Sequence, residues 1–469
     1  MTSLNRRDFL RLASSGAALM ALPGALPAAQ PSASPAGRPN IIFLLTDDQR
    51  WNSLGCMGDP VLKTPHIDTL AREGTLFTHA CVTTSICCCS RASIFTGQYT
   101  SRHGIRDFVT TFTPEALART YPALLRQRGY HTGFIGKYGV GGKLPPDAFD
   151  YCKATPQLTS PFVKDERGER VHNIELSARH ALEFLKSCPK DKPFCLSLSF
   201  NAPHAEDGNP KQYICQPGDE ALYENDTIPV PKTATQQHFE ALPPFFRRGN
   251  EGRNRWTWRF DTPARYQEYV KAYYRLLTEI DRVVGQIREG LKAQGQDRNT
   301  VIMFMGDNGY FLGEHGLADK WFPYEESIRV PLVVYDPRLG RERRGRRVDE
   351  FVLNVDIAPT ILALAGCPAP SVMQGADFSP LLRGERPAAW RADFFYEHPQ
   401  GGDADFIPAS EALVTQDLKY ILWPGRQYEE LFDLRKDPLE EHNVVKEPAY
   451  LADLERLRMR FARLKQAAG

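Results

Sequence analysis

The sequence predicts an α/β fold, a parallel sheet covered by helices on both faces, followed by a small C-terminal antiparallel sheet with a terminal helix. Three observations carry this. Continuous apolar runs such as Asn40 to Leu45 lack the polar alternation of a half-exposed strand and read as strands buried on both faces. Helical patterns alternate with these runs, which is the signature of a parallel sheet with crossover helices. After residue 385 the texture changes to short strand-like pieces separated by turn residues.

The first 29 residues stand apart. Asn5-Arg6-Arg7-Asp8-Phe9-Leu10 precedes an Ala-rich apolar run that ends near Leu26-Pro27-Ala28-Ala29-Gln30. This resembles a twin-arginine export signal, and the run is shorter and richer in Gly and Ser than a spanning helix needs. The expectation is passage through the twin-arginine export machinery to a periplasmic or secreted location, without stable membrane insertion. Because that route carries folded proteins, any residue modification can be completed in the cytoplasm. Residues 30–38, rich in Pro, Ala and Ser, read as a linker.

Residues 39–385 form the predicted main domain. Strand-like runs at Asn40 to Leu45, Thr132 to Ile135, Phe194 to Phe200, Thr300 to Met305 and Val330 to Tyr335 alternate with helical patterns at Glu115 to Arg128, Ile174 to Lys186 and Tyr266 to Ala293. Between 205 and 262 the pattern breaks into a Pro- and aromatic-rich stretch, with Phe245-Phe246-Arg247-Arg248 and Trp256-Thr257-Trp258-Arg259, expected to form an irregular rim or lid. In residues 386–469, strands are predicted at Phe394 to Glu397, Ala412 to Thr415, Lys419 to Leu422 and Glu430 to Asp433, with a helix from about 447.

Composition narrows the function. With 42% hydrophobic residues in 469, the chain can build one large core and a smaller one. The 58 Lys and Arg offset 57 Asp and Glu, so no net field gathers nucleic acid or an anionic membrane, and an anionic ligand must be steered locally. Ten cysteines at irregular spacing predict few disulfides, one at most.

Ligands of parallel sheets sit beyond the carboxyl ends of the strands. Asp47 and Asp48 follow the first strand, and Asp307 and Asn308 follow the strand at 300–305. Three carboxylates and an amide oxygen are a hard donor set suited to Ca²⁺, with Mg²⁺ as the alternative, rather than Zn²⁺. The densest signal is Cys87-Cys88-Cys89-Ser90-Arg91-Ala92-Ser93-Ile94-Phe95-Thr96-Gly97. A thiol at the start of a helix, with Arg four residues on, suits a tetrahedral oxyanion. A soft-metal thiol site and plain core packing are the competing readings.

Here the sequence resembles the sulfatase family, whose signature is Cys, any residue, Pro or Ala, any residue, Arg, often followed by Ser-Arg-Ala and Thr-Gly spacing of the kind seen here. Cys87 and Arg91 take the two key positions, and Cys89 stands where Pro or Ala is usual. The stretch from Asp307-Asn308-Gly309-Tyr310 through Gly313-Glu314-His315-Gly316, Asp319-Lys320-Trp321 and Tyr324-Glu325-Glu326-Ser327 to Arg329-Val330-Pro331 also matches. So does Phe200-Asn201-Ala202-Pro203-His204, while Gly136-Lys137-Tyr138-Gly139 keeps the family's lysine and has Gly139 where histidine is common.

The resemblance implies an alkaline-phosphatase-like fold, with a mixed, mostly parallel sheet. It also implies a formylglycine-generating enzyme as partner, which converts Cys87, and Ca²⁺ held by Asp47, Asp48, Asp307 and Asn308 together with residue 87. Arg91, Lys137 and Lys320 would bind sulfate, His204 would assist the leaving group, and the substrate would be a sulfated carbohydrate. His103, His315 and His398 are further candidates for substrate contact. Two alternatives stay open at this point: a phosphate or phosphonate ester hydrolase on the same scaffold, and a non-catalytic homologue that binds sulfated glycans.

Overall fold

The computed structural model describes residues 37–145 and 147–469. The export signal expected at 1–29 and most of the linker expected at 30–38 lie outside the described residues. In chain order the central sheet contains β1 (Asn40–Thr46), β2 (Thr75–Phe77), β3 (His131–Lys137), β4 (Tyr151–Thr155), β5 (Phe194–Ser199), β6 (Thr300–Gly306), β7 (Leu332–Tyr335) and β8 (Arg346–Val348). Across the sheet the order is β8-β2-β7-β6-β1-β5-β3-β4.

β1 lies between β5 and β6 and runs parallel to both, Leu45 pairing with Ser199 on one side and Met305 on the other. All seven residues of β1 are buried, which is why its sequence is a continuous apolar run. Their side chains alternate between two cores. Ile42 and Leu44 pack with Leu70, Phe184 and Ile280 from α1 (Pro65–Glu73), α3 (Asn173–Ser187) and α5 (Pro263–Ala293), whereas Ile41, Phe43 and Leu45 pack with Ala92, Ile94 and Ile361 from α2 (Cys87–Thr96) and α6 (Ile357–Leu364). At ~1.5–3 kcal/mol for each large apolar side chain removed from water, this double burial fixes the strand and its register.

The sheet is mixed rather than wholly parallel, because β7 runs antiparallel to both β6 and β2. Residues 307–331 join β6 to β7 and contain a single short α-helix, Glu325–Ile328, besides a 3₁₀ turn, so no crossover helix carries the chain back to the start of the sheet. The helix expected from Glu115 to Arg128 is two pieces, Pro114–Leu117 and Tyr121–Gln127. Pro122 lacks the N–H a continuous helix would need and sits instead in the first turn of the second piece. The 205–262 insertion is partly helical rather than irregular: Gln236–Ala241 and α4 (Glu251–Arg259) start on Thr235 and Asn250, whose side chains accept from His238 N and Arg253 N.

Four strands, β9 (Asp393–His398), β10 (Ser410–Thr415), β11 (Leu418–Trp423) and β12 (Tyr428–Asp433), form the expected antiparallel meander. One face packs on α7 (Leu451–Ala468) through Leu413, Leu431, Leu457 and Phe461. The other face, with Tyr396, Ala412 and Trp423, packs on Phe245, Phe246, Phe322 and Tyr324 of the main body. The C-terminal sheet and the main body thus belong to one unit, residues 37–469. All ten cysteines are free thiols, and among the described residues no helix is long and apolar enough to cross a membrane.

Candidate active site

The carboxyl ends of four neighbouring strands define the site. β1 runs into Asp47 and Asp48, β6 into Asp307 and Asn308, β3 ends on Lys137, and β5 leads to Asn201 and His204. Consecutive strand residues normally point to opposite faces. Asp48 escapes that rule with a left-handed backbone (φ 64°), and the turn brings both carboxylates to one centre. Tyr273 of α5 pins this turn, donating its hydroxyl to Asp48 O at 2.9 Å and accepting from Arg50 N at 3.0 Å.

α2 presents Cys87 at its first position and Arg91 four residues later, on the same helical face. Cys87 Sγ lies 3.3 Å from Asp47 Oδ1. Arg91 Nε donates to Asp307 Oδ2 at 2.8 Å, and its Nη1 donates to Lys137 O at 2.7 Å and to Ser199 Oγ. Lys137 Nζ pairs with Asp47 Oδ2. Lys320 Nζ reaches both oxygens of Asp48 at 2.6 Å, Asn308 Nδ2 donates to Asp48 Oδ1 at 2.7 Å, and His204 Nε2 lies 3.4 Å from Asp48 Oδ2.

Three carboxylates thus face three cations, all nearly excluded from water. Burial opposes the charge on Asp47, but Lys137 and Arg91 outweigh it and hold the carboxyl well below its usual range. Asp307 has a weaker share of those cations, and burial together with the Asp47 charge pushes it up to about 7. Burial and Asp47 push the Cys87 thiol far up, so as a thiol it stays protonated. Burial and the Lys320 charge lower His204. Its Nδ1 lies 2.5 Å from Ala205 O, and since a carbonyl only accepts, Nδ1 carries a proton and Nε2 is left to face the centre.

Asp47, Asp48, Cys87 and His204 each offer a ligand atom within a 4.8 Å cluster, the arrangement of a cation site. A family model described as sulfatase matches residues 39–367, and a second, N-sulphoglucosamine sulphohydrolase C-terminal, matches residues 313–467. The chain belongs to the sulfatase family. Among relatives of this sulfatase, an N-acetylglucosamine-6-O-sulfatase of Bacteroides thetaiotaomicron is 28% identical over 478 residues, spanning 88% of this chain and 84% of the relative. An arylsulfatase of Clostridium perfringens is also 28% identical, spanning 90% and 93%.

Solved structures share the fold. A protein in complex with its substrate D-glucosamine-2-N,6-O-disulfate superposes with a TM-score of 0.80 at 24% identity, covering 92% of this chain and 98% of that one. A phosphonate monoester hydrolase of Agrobacterium radiobacter gives 0.76 at 22% identity, covering 92% and 96%.

The departures of this sulfatase from its signature have structural explanations. Cys88 and Cys89 are turned into the apolar core with Ala92, Ile94 and Phe95, which removes the soft-metal reading of the three-cysteine run. Cys89 is 0% exposed and packs as a small apolar residue of that core. Gly139 has φ 74°, and a Cβ there would lie 2.4 Å from Arg91 Cδ. The stem of Arg91 occupies the space a side chain at 139 would need.

The three further histidines do not join the centre. His315 is 2% exposed and stacks on Tyr324, with ring centroids 5.5 Å apart, which corrects its expected substrate contact. His103 is held by Ser93 Oγ and Ile105 N at the far side of α2 and is likewise structural. His398 ends β9 and is 4% exposed, and neither ring nitrogen has a hydrogen-bond partner among the described residues. The sequence offered no signal for Ser199 or Tyr273, which support Arg91 and Asp48 from segments without a motif, and the matching Asp319-Lys320-Trp321 stretch gave no role to Asp319, although it lies 3.3 Å from Lys320 Nζ.

Proposed function

We propose that this sulfatase releases inorganic sulfate from a sulfated carbohydrate of the glucosamine type, using formylglycine formed from Cys87 and a calcium ion among the carboxylates. The observation that carries this reading is the convergence of Cys87, Arg91, Lys137, His204 and Lys320 on Asp47, Asp48 and Asp307 in one buried centre. The sugar class rests on the names of the relatives and on the glucosamine disulfate bound by the structural neighbour.

The donor set fits a hard divalent cation. Asn308 Oδ1 is buried without a hydrogen-bond partner, an orphan acceptor beside three carboxylates. Asp47, Asp48, Asp307 and Asn308 would hold Ca²⁺, or Mg²⁺, which would lower the pKa of a hydroxyl on residue 87 and draw charge from the ester. Cys87 opens α2 one turn before Arg91 and 3.3 Å from Asp47, at the position the family's signature gives to its modified cysteine, which supports conversion of Cys87 by a formylglycine-generating enzyme. At position 87 the hydrated aldehyde would supply one hydroxyl as the nucleophile toward sulfur and a second whose deprotonation would release sulfate.

The remaining groups have separable tasks. Arg91 Nη2 lies 3.3 Å from Asp47 Oδ2 without a hydrogen bond of good geometry, which leaves it able to donate to a sulfate oxygen, while Lys137 and Lys320 neutralise charge on the others. As the bond between sulfur and the sugar oxygen breaks, its electron pair passes to that oxygen, which takes a proton from the imidazolium form of His204: Nδ1 keeps its proton on Ala205 O, and the Asp48 carboxylate 3.4 Å from Nε2 favours the second proton there. The Arg6-Arg7 segment supports export to the periplasm or beyond.

The deciding test compares sulfate and phosphate monoesters of one alcohol. Faster release of sulfate is expected; faster phosphate release would install the phosphoester hydrolase instead, and release of neither would leave a binding protein. Peptide mass analysis of the α2 segment from the native host should show the loss of sulfur at position 87.

A further inference from the structure

Arg259 closes α4 in the 205–262 insertion, far in sequence from every residue of the centre, and it is fully buried. Its Nε donates to Gln212 Oε1 at 2.7 Å, its Nη1 to Tyr310 Oη at 2.8 Å and to Asp319 Oδ2 at 2.7 Å, and its Nη2 to Asp207 Oδ1 at 2.7 Å. Arg255, one turn earlier, adds ion pairs to Asp207 at 2.8 Å and to Asp319 at 2.7 Å.

The four partners belong to three parts of the catalytic machinery. Asp207 and Gln212 lie on the segment that follows His204, and Glu206 N closes that loop on Gln212 O at 2.7 Å. Tyr310 follows Asp307 and Asn308, and stacks on the Tyr273 ring that pins Asp48. Asp319 precedes Lys320, whose Nζ is 3.3 Å from its Oδ1, and both Asp319 and Trp321 are held with positive φ, 75° and 87°. A left-handed backbone at two such residues persists only where the surroundings impose it.

We propose that Arg259 is a positioning residue that sets His204 against Lys320 by tying the His204 loop, the Asp307 segment and Asp319 to one guanidinium. A planar fork with fixed donor directions can hold three segments in one geometry, which a lysine's single ammonium cannot. This rests on the sulfatase reading above. The insertion thereby acts on the proton delivered to the leaving oxygen, and not only as a rim.

The consequence is a selective dependence on the leaving group. A sugar alkoxide is a poor leaving group and needs the His204 proton, whereas a nitrophenolate departs without it. General acid catalysis contributes about 10²–10⁴-fold, and a displacement of about 1 Å can cost about 10²-fold. In the mature enzyme, Arg259→Lys should lower kcat on a glucosamine sulfate by about 30-fold or more with little change in KM, and lower kcat on 4-nitrophenyl sulfate by less than about 3-fold.

Because loss of a buried Arg can also loosen the fold, Asp207→Asn is the second variant. Asp207 is 38% exposed, so its replacement spares the core while removing the loop's ion pairs to both arginines and leaving only the Gln212 bond to Arg259. The same selective loss, smaller in size, is expected. An equal fall on both esters in the folded variants, or no fall on either, would overturn the positioning role alone. A parent enzyme that hydrolyses neither ester would instead remove the sulfatase reading beneath it.

Discussion

Cys87 and Gly139 show how single residues decide the chemistry of this centre. Cys87 Sγ stands 3.3 Å from Asp47, where the oxygen of a hydrated aldehyde would lie. Cys87→Ser, expressed beside the same modifying machinery, should leave at most about 10⁻³ of the parent sulfate release, and full turnover would contradict the mechanism. Gly139 tolerates no Cβ, because its φ is 74° and Arg91 Cδ would be 2.4 Å away. Gly139→Ala should therefore displace Arg91, cost about 1–2 kcal/mol of stability from backbone strain, and reduce kcat/KM on any sulfate ester. A variant of parental activity would show that Arg91 has room to move.

At the level of elements, the strand ends gather the carboxylates and the C-terminal sheet closes over the main body. That closure buries Glu430 of β12, which accepts from Trp423 Nε1 at 2.7 Å and Tyr324 Oη at 3.2 Å. Burial outweighs these two hydrogen bonds and pushes the carboxyl up to about 7 from 4.5. The folded protein then holds a proton that the unfolded chain has already lost. Stability contributed by this group is full below about 4.5 and declines as pH rises to about 7, by up to about 3 kcal/mol. Thermal melting of Glu430→Gln from pH 4.5 to 7.5 should show a shallower decline than the parent; identical slopes would mean that Glu430 does not titrate in that window.

For the whole molecule, the centre is a buried cluster of three carboxyl groups and three cationic side chains built at the junction of strands that are distant in sequence. A cation bound only by the folded state stabilises it, by ~2.7 kcal/mol at a concentration 100 times its dissociation constant. Exhaustive chelation should lower both Tm and sulfate release, with Ca²⁺ restoring both, and an unchanged Tm after metal removal confirmed by elemental analysis would count against the cation site.

The sequence by itself determined the strands and the motif residues. Apolar runs buried on both faces have no other stable home, so β1, β5 and β6 could be read directly, and with them the acids that follow β1 and β6 and the His204 beyond β5. Local chemistry also placed Cys87 and Arg91 one helical turn apart. Tertiary structure alone decided that β7 returns antiparallel, that Cys89 is core, that His315 packs in an aromatic cluster, and that Arg259 reaches Asp319 beside Lys320. Those outcomes depend on contacts between residues tens to hundreds of positions apart, and neither periodicity nor motif spacing carries information about which distant side chain will fill a given space.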